Sequence, residues 1–412
     1  MDGIFRSPAA REEYRQAYMR VLGHWPKPEL RQVPTLLGST SVIESGDAGW
    51  PPLVLLPPVA VGAVSWFPVA SMLFRHHRIH AVDIVGDAGL SELERCPKSP
   101  VEYANWLAEV IAGLGLRQPA VVGHSYGGWL ALLLARYRPD AVGPLVLLAP
   151  AAGLSAFHWH MGLFLRLAER LPLKPSAEDT LRMQAHPGFE LEPDFVALME
   201  AVSRNVRTNV LFPEPMSDED LATIRHPVMI LIGEDEVLFD PSAALARGLR
   251  LLPRAEGRLV PGTSHLLPME RPALVDEAIE SFLARTEPEF DPDQGGGRPR
   301  AGFVGWAKEM AMSENKKSGW DTFTEEIEVA GTQLMDEVNR LLAEGNLRRL
   351  QIRSQEDDVY LSVPLTAGAV AGGVVVIAAP WLAVIAAIAG IASKLKLEIT
   401  RNPPDAGKDE SV

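Results

Sequence analysis

The sequence predicts an α/β fold: a mainly parallel sheet with helices on both faces and a helical insertion, followed by a small α+β module. Three observations carry that prediction. Short runs rich in Val, Leu and Ile recur between residues 51 and 262, each bounded by Gly or Pro. Runs that are apolar on both faces suit strands buried in a parallel sheet. Helical patterns alternate with these runs, and a β-α-β-α order is the mark of an α/β domain. A Gly- and Pro-rich stretch at about residues 287–320 then sets off a second pattern, and such a stretch reads as a linker.

Taken in order, a helix is expected over about residues 8–22, and "RQVPTLLGSTSVIES" reads as a β-hairpin. "PPLVLLPP" is the first buried strand. The others are "HRIHAVDIVG", "QPAVVGH", "GPLVLLAPA", "PVMILIG" and "GRLVPG". Between them, "SPVEYANWLAEVIAGLG" opens with Ser99 as cap and Pro100 in the first turn, and "GGWLALLLARYRP" is stopped by Pro139. About residues 152–222 break the rhythm with helical stretches such as "FHWHMGLFLRLAERL" and "EPDFVALMEAVSRN". An insertion there would cover the carboxyl edge of the sheet. Its Met and aromatic residues read as packing within the insertion rather than as a cofactor box, the ordinary meaning of such stripes at helical spacing.

With 412 residues, 47% hydrophobic and 22% charged, the chain has the composition of a globular protein and the length for one large domain plus a smaller one. The formal charge of −14 comes from acidic residues spread along the sequence, which argues against a general nucleic-acid binder. Cys96 is the only cysteine, so neither an internal disulfide nor a cysteine-based zinc site is available, and a reducing compartment fits. The first residues, "MDGIFRSPAAREEYRQAYMRVLGHW", are charged throughout, with no apolar core of signal-peptide length. Residues 1–300 therefore read as cytoplasmic.

The chemistry centres on "PAVVGHSYGGW", residues 119–129. A Gly-x-Ser-x-Gly match is weak by itself, but here it lies between an apolar strand and an apolar helix, where a sharp turn would project Ser125 above the sheet. A serine hydroxyl needs a base to take its proton, and the base needs an acid to hold its tautomer. Glu234, Asp235 and Glu236 follow the strand "PVMILIG", and His265 follows the strand "GRLVPG". The remaining histidine pairs, His76-His77 and His158-His160, lack Cys or carboxylate company in the sequence, so no metal and no cofactor are expected.

These residues resemble the α/β-hydrolase superfamily over about residues 10–286. "GHSYGGWLALLLA" is similar to its nucleophile elbow, "PVMILIGEDE" to its strand and acid turn, and "LVPGTSHLLPMERP" to its histidine loop. The resemblance implies Ser125 as nucleophile, His265 as base and Glu236 as acid, with Asp235 and then Asp240 as the other candidates for the acid. It implies an oxyanion hole from the backbone N–H groups of Val59 and Tyr126. Where the family commonly has His-Gly after its first buried strand, this chain has Pro57-Pro58. Proline has no N–H, but the residue that follows is the usual donor and retains one. His124 reads as a packing and hydrogen-bonding neighbour. "AVDIVGDAGLS" resembles the family's Asp-x-x-Gly-x-Gly-x-Ser loop, with Asp83 structural. A serine at the elbow disfavours dehalogenases and epoxide hydrolases, which carry aspartate there.

Past the linker, "TFTEEIEVAGTQLMDEVNRLLAEGNLRRLQIRS" reads as a capped amphipathic helix, with Leu334, Val338, Leu341 and Leu342 on its apolar face and an end at Gly345, then a strand. "DVYLSVPL" is a second strand and "LKLEIT" a last one. Between them, residues 365–393 carry no charge before Lys394, a length that spans a bilayer as one helix or enters it as a hairpin broken at Pro380-Trp381. Their Gly and Ala content equally suits close packing in a self-associating protein. Residues 321–400 resemble a small bacterial domain of unknown function, which implies no chemistry; residues 401–412 are a tail.

The expectation is a serine hydrolase acting on a small carboxylic ester through an acyl-enzyme. Acyltransfer, carbon–carbon bond hydrolysis and perhydrolysis use the same residues, and Pro57-Pro58 favours the other alternative, a non-catalytic binding or scaffold protein. The location expected is cytoplasmic, with residues 365–393 as the one candidate for membrane association or self-association.

Overall fold

The computed structural model describes residues 3–158, 161, 176–286, 324–330, 333–334, 337–338, 340, 347–353, 359–364 and 394–401. Two compact units result. In the first, helix α1 (Pro8–Leu22) starts where the Ser7 hydroxyl accepts the Ala10 N–H and Pro8 fills the first turn. Proline costs nothing there, because that N–H has no helical partner. The hairpin β1 (Glu29–Thr35) and β2 (Gly38–Ser45) pairs antiparallel.

Then come β3 (Pro52–Leu56), helix α2 (Phe67–Leu73), β4 (Arg78–Val82), the short β5 (Glu92–Leu93) and helix α3 (Pro100–Gly113). Strand β6 (Ala120–His124) leads into helix α4 (Tyr126–Tyr137), which gives way to a 3-10 turn beginning at Pro139, and β7 (Leu145–Leu148) follows. After the insertion, β8 (Val228–Gly233) and β9 (Ala255–Val260) complete a nine-stranded sheet in the order β1-β2-β4-β3-β6-β7-β8-β9, with β5 beside β2. From β4 to β9 every pair is parallel; β2 meets β1, β4 and β5 antiparallel. All residues of β6, β7 and β8 are buried, as a sheet covered on both faces requires.

The insertion between β7 and β8 carries helices α5 (Ala177–Gln184), α6 (Pro193–Asn205) and α7 (Asp218–Thr223), capped by Ser176, Glu192 and Ser217. Of "FHWHMGLFLRLAERL", only Phe157, His158 and Met161 belong to the described residues. Several contacts fasten the insertion. Arg6 N–H donates to the Asn205 carbonyl and Arg207 N–H to that of Ile4. On α4, the Tyr126 hydroxyl donates to the Leu211 carbonyl at 2.9 Å and the Trp129 indole to that of Glu214 at 3.1 Å. Helices α8 (Pro241–Leu251), α9 (Leu267–Glu270) and α10 (Pro272–Thr286) close the unit.

The second unit holds a four-stranded antiparallel sheet, β10 (Thr324–Ala330), β11 (Leu347–Arg353), β12 (Val359–Pro364) and β13 (Lys394–Arg401), in the order β10-β13-β11-β12. One expectation is corrected here: residues 324–330 are a strand, not the start of the helix. Their alternation of Glu with Ile327 and Val329 has period two, and β13 supplies a matching partner that sets Ile327 opposite Leu397, Val329 opposite Leu395 and Glu328 opposite Lys396. Pairing with a strand distant in sequence outweighs local helix propensity. Leu334 and Val338, expected on the helix face, are buried and helical. Leu341, Leu342, Gly345, the stretch 287–320, the apolar segment 365–393 and the tail beyond Arg401 lie outside the described residues. Among the described residues no helix is long and apolar enough to cross a membrane.

Candidate active site

The strand-to-helix turn after β6 explains why this stretch has its sequence. Ser125 adopts φ 52° and ψ −114°, a conformation that costs an L-residue of order 1–3 kcal/mol and persists only where the surroundings enforce it. Close packing does the enforcing. A Cβ on Gly127 would lie 2.1 Å from the Leu56 carbonyl oxygen at the end of β3, one on Gly123 2.3 Å from the Gly127 carbonyl oxygen, and one on Gly128 2.8 Å from Pro150 Cβ. Only glycine fits these places, so Ser125 is held at the end of the central strands with its side chain raised above them.

The Ser125 hydroxyl oxygen lies 2.9 Å from Nε2 of His265, whose Nδ1 is 2.7 Å from Oε2 of Glu236. A carboxylate facing Nδ1 accepts, so Nδ1 carries the hydrogen and the Nε2 lone pair faces the serine hydroxyl. Glu236 is itself fixed, because its Oε1 accepts the backbone N–H groups of Val237 and Leu238, both at 2.9 Å. All three residues are buried. Asp235 points elsewhere, with Oδ2 3.1 Å from Nδ1 of His186 in the insertion. Asp240 accepts the Ala243 N–H and caps α8. Of the acids weighed, Glu236 is the one whose carboxylate meets the His265 ring at hydrogen-bonding distance.

His124 also takes a definite place. Its Nε2 lies 2.8 Å from the His265 carbonyl oxygen; a carbonyl only accepts, so Nε2 donates. Burial, with His265 adding to it, pulls the His124 pKa down to about 3, so the ring stays neutral and serves as a prop under the His265 backbone. Val59 stands in the turn after β3 and Tyr126 begins α4. Among the described residues, neither backbone N–H has an acceptor.

Two residues escaped the sequence reading. Glu270, at the end of "HLLPME", accepts the Ser264 N–H at 2.7 Å through one oxygen and the His186 N–H through the other. The only sequence signal was a carboxylate in an otherwise apolar turn. Asp87, buried in the loop after β4, accepts the Ala60 N–H at 2.8 Å. Asp83 sits as expected of a structural residue, accepting from Ala63 N–H, Leu90 N–H and the Tyr18 hydroxyl. Among the described residues one group could offer three metal ligands, His24, Glu192 and Asp194, whose atoms lie within 4.8 Å of one another. Glu192 already caps α6, and Asp194 already pairs with His24 at 2.9 Å and lies 3.7 Å from Arg20.

Fold and site together define an α/β-hydrolase: a parallel sheet that presents a serine on its central strand-to-helix turn, with an acid and a histidine from later loops. The chain belongs to the alpha/beta hydrolase family, whose model matches residues 53–278. Residues 321–401 match a domain of unknown function, DUF4342. The uncharacterized carboxylesterase nap of Bacillus subtilis (strain 168) is 32% identical over 278 residues, 66% of this chain and 92% of that protein. Carboxylesterase YbfK of the same organism is 29% identical and matches 66% of this chain and 93% of its own length. The crystal structure of naproxen esterase (carboxylesterase NP) from Bacillus subtilis superposes with a TM-score of 0.63 at 31% identity, covering 68% of this chain and 99% of that one.

Proposed function

We propose that the protein is a serine hydrolase of small carboxylic esters, working through an acyl-enzyme. The observation that carries the reading is the chain of hydrogen-bonding distances from Ser125 through His265 to Glu236; the similarity to proteins named carboxylesterases supports it. In the first half-reaction the Ser125 oxygen attacks the ester carbonyl carbon while its proton passes to Nε2 of His265. The tetrahedral oxyanion is held by the N–H groups of Val59 and Tyr126, and collapse expels the alkoxide, which leaves as the alcohol with the proton from His265. Water then attacks the acyl-enzyme, giving its proton to His265, which returns it to Ser125 as the carboxylic acid departs. Glu236 holds the imidazole in the required tautomer and stabilises the imidazolium. Carbon–carbon bond hydrolysis, acyltransfer and perhydrolysis would draw on the same groups.

A fluorophosphonate probe and a series of p-nitrophenyl esters of increasing acyl length test the reading. The expected result is labelling at Ser125 and turnover of the shorter esters, both lost in Ser125→Ala. An unlabelled wild-type protein with no turnover of any ester overturns it.

A further inference from the structure

The turn after β3 combines two features that look opposed. Pro57 and Pro58 remove two backbone donors beside the oxyanion position, yet the next residues adopt a demanding conformation: Ala60 has φ +62°, and Gly62 has φ +83°. Proline fixes φ near −65°, so the peptide that carries the Val59 N–H is stiffened on its N-terminal side. On its C-terminal side the next peptide is held by a carboxyl group. Asp87 Oδ2 accepts the Ala60 N–H at 2.8 Å. Three residues further on, Asp83 Oδ1 accepts the Ala63 N–H at 2.7 Å. Two carboxylates from the loop after β4 thus pin the turn after β3 at alternate points.

We propose that Asp87 is a positioning residue for the oxyanion hole: by fixing the Ala60 N–H it holds the strained turn that aims the Val59 N–H at the developing negative charge. The inference rests on the esterase reading above, and it accounts for a group that packing alone does not explain. Asp87 is 1% exposed, and among the described residues its Oδ1 has no hydrogen-bond partner. An apolar residue there would avoid the cost of burying a half-satisfied carboxylate.

Among the described residues, the titratable groups facing Asp87 are Asp83 from the end of β4, Tyr14 of α1, Tyr103 of α3 and Tyr126 of α4; none of these is cationic. Burial, with Asp83 adding to it, pushes the Asp87 carboxyl up to about 7. A carboxyl whose pKa is raised on folding stabilises the fold at low pH, and loses that contribution as pH rises through the folded value. The carboxylate is therefore retained at a cost to stability that is largest above neutral pH, which is the pattern of a group kept for function.

The test compares Asp87→Ala, Asp87→Val and Asp87→Asn in the full chain. Alanine and valine remove the acceptor; asparagine keeps one oxygen able to take the Ala60 N–H. On a short p-nitrophenyl ester, D87A and D87V should lose about 10- to 100-fold in kcat with KM changed less than about threefold, since misplacing an oxyanion donor costs somewhat less than deleting it. Affinity for a trifluoromethyl ketone, whose serine adduct carries an oxyanion, should fall by the same factor. D87N should stay within about threefold of the wild type in both. D87V should also gain thermal stability at pH 8 relative to pH 5, so that activity and stability move in opposite directions.

A folded D87A or D87V with wild-type kcat and ketone affinity overturns the proposal, and D87V decides if D87A does not fold. These outcomes are separate from failure of the esterase reading, which shows in a wild-type protein that no fluorophosphonate labels.

Discussion

Glu270 accepts the backbone N–H of Ser264 at 2.7 Å, one residue before His265. Its other oxygen takes the His186 N–H, and the Leu266 N–H on the far side of His265 donates to the Gln184 carbonyl at 3.3 Å. The histidine loop is thus tied to the insertion on both sides of His265. Glu270→Ala should lower kcat by about tenfold through a displaced imidazole, and should cost about 1–3 kcal/mol of stability by leaving buried N–H groups unpaired. Glu270→Gln, which keeps one acceptor, should recover part of both. Steady-state kinetics and urea unfolding of the two variants provide the check; unchanged kcat in the alanine variant would assign Glu270 to stability alone.

The acid turn offers a sharper comparison. Glu236→Gln should reduce kcat by about 10²- to 10⁴-fold, because the amide no longer enforces the tautomer. Asp235→Asn, whose side chain faces His186, should cost less than about fivefold. Measuring both on one ester decides it, and the reverse ranking would move the acid by one residue.

Gly127→Ala should destabilise the protein by more than about 3 kcal/mol or prevent folding, because its Cβ would meet the Leu56 carbonyl oxygen at 2.1 Å and backbone cannot step aside. Soluble expression and the thermal midpoint report this; a variant with wild-type stability would contradict the packing described for the elbow.

Acid stability should depend on Glu44, which faces His80 across β2 and β4 and contacts Arg78 at 3.0 Å. The His80 ring, whose Nδ1 lies 3.1 Å from Glu44 Oε1, with the charges of Arg78 and Arg31, pulls the Glu44 pKa down to about 2. A depressed carboxylate stabilises the fold above its unfolded pKa near 4.5, and that contribution is lost as pH falls towards 2. Glu44→Gln should therefore cost about 1–2 kcal/mol at pH 7, discounted from the full shift because Arg31 is solvent-exposed, and about a quarter of that at pH 2.5. Equal losses at both values would remove the electrostatic account.

A shortened chain ending at Thr286 should fold and hydrolyse esters as the full chain does, because every proposed catalytic group and all nine strands of the first sheet precede that residue. Ester turnover and circular dichroism of the shortened chain are the measurements. An inactive or insoluble product would mean that the second unit is needed by the first.

Much of this was written locally. The Gly, Pro and β-branched runs marked the strands of the parallel sheet, and Ser99-Pro100 and Pro139 marked helix ends, because caps and stops act within a few residues of themselves. Strand β10 was misread for the opposite reason: its partner β13 begins more than sixty residues later, and an isolated Glu-rich segment has no way to announce a distant edge.

The sequence by itself determined the fold class, through periodicity and element order, and its motifs carried the resemblance to a family that marked Ser125 and His265 as candidate nucleophile and base. Only the tertiary structure decided which way each side chain of the acid turn points, sending Glu236 to His265 and Asp235 to His186. It also brought Asp87 to Ala60 and Glu270 to the backbone N–H of His186. These are contacts between loops that meet at one end of the sheet. Their partners are set by how strands far apart in the chain line up, and that geometry depends on the packing of the whole core.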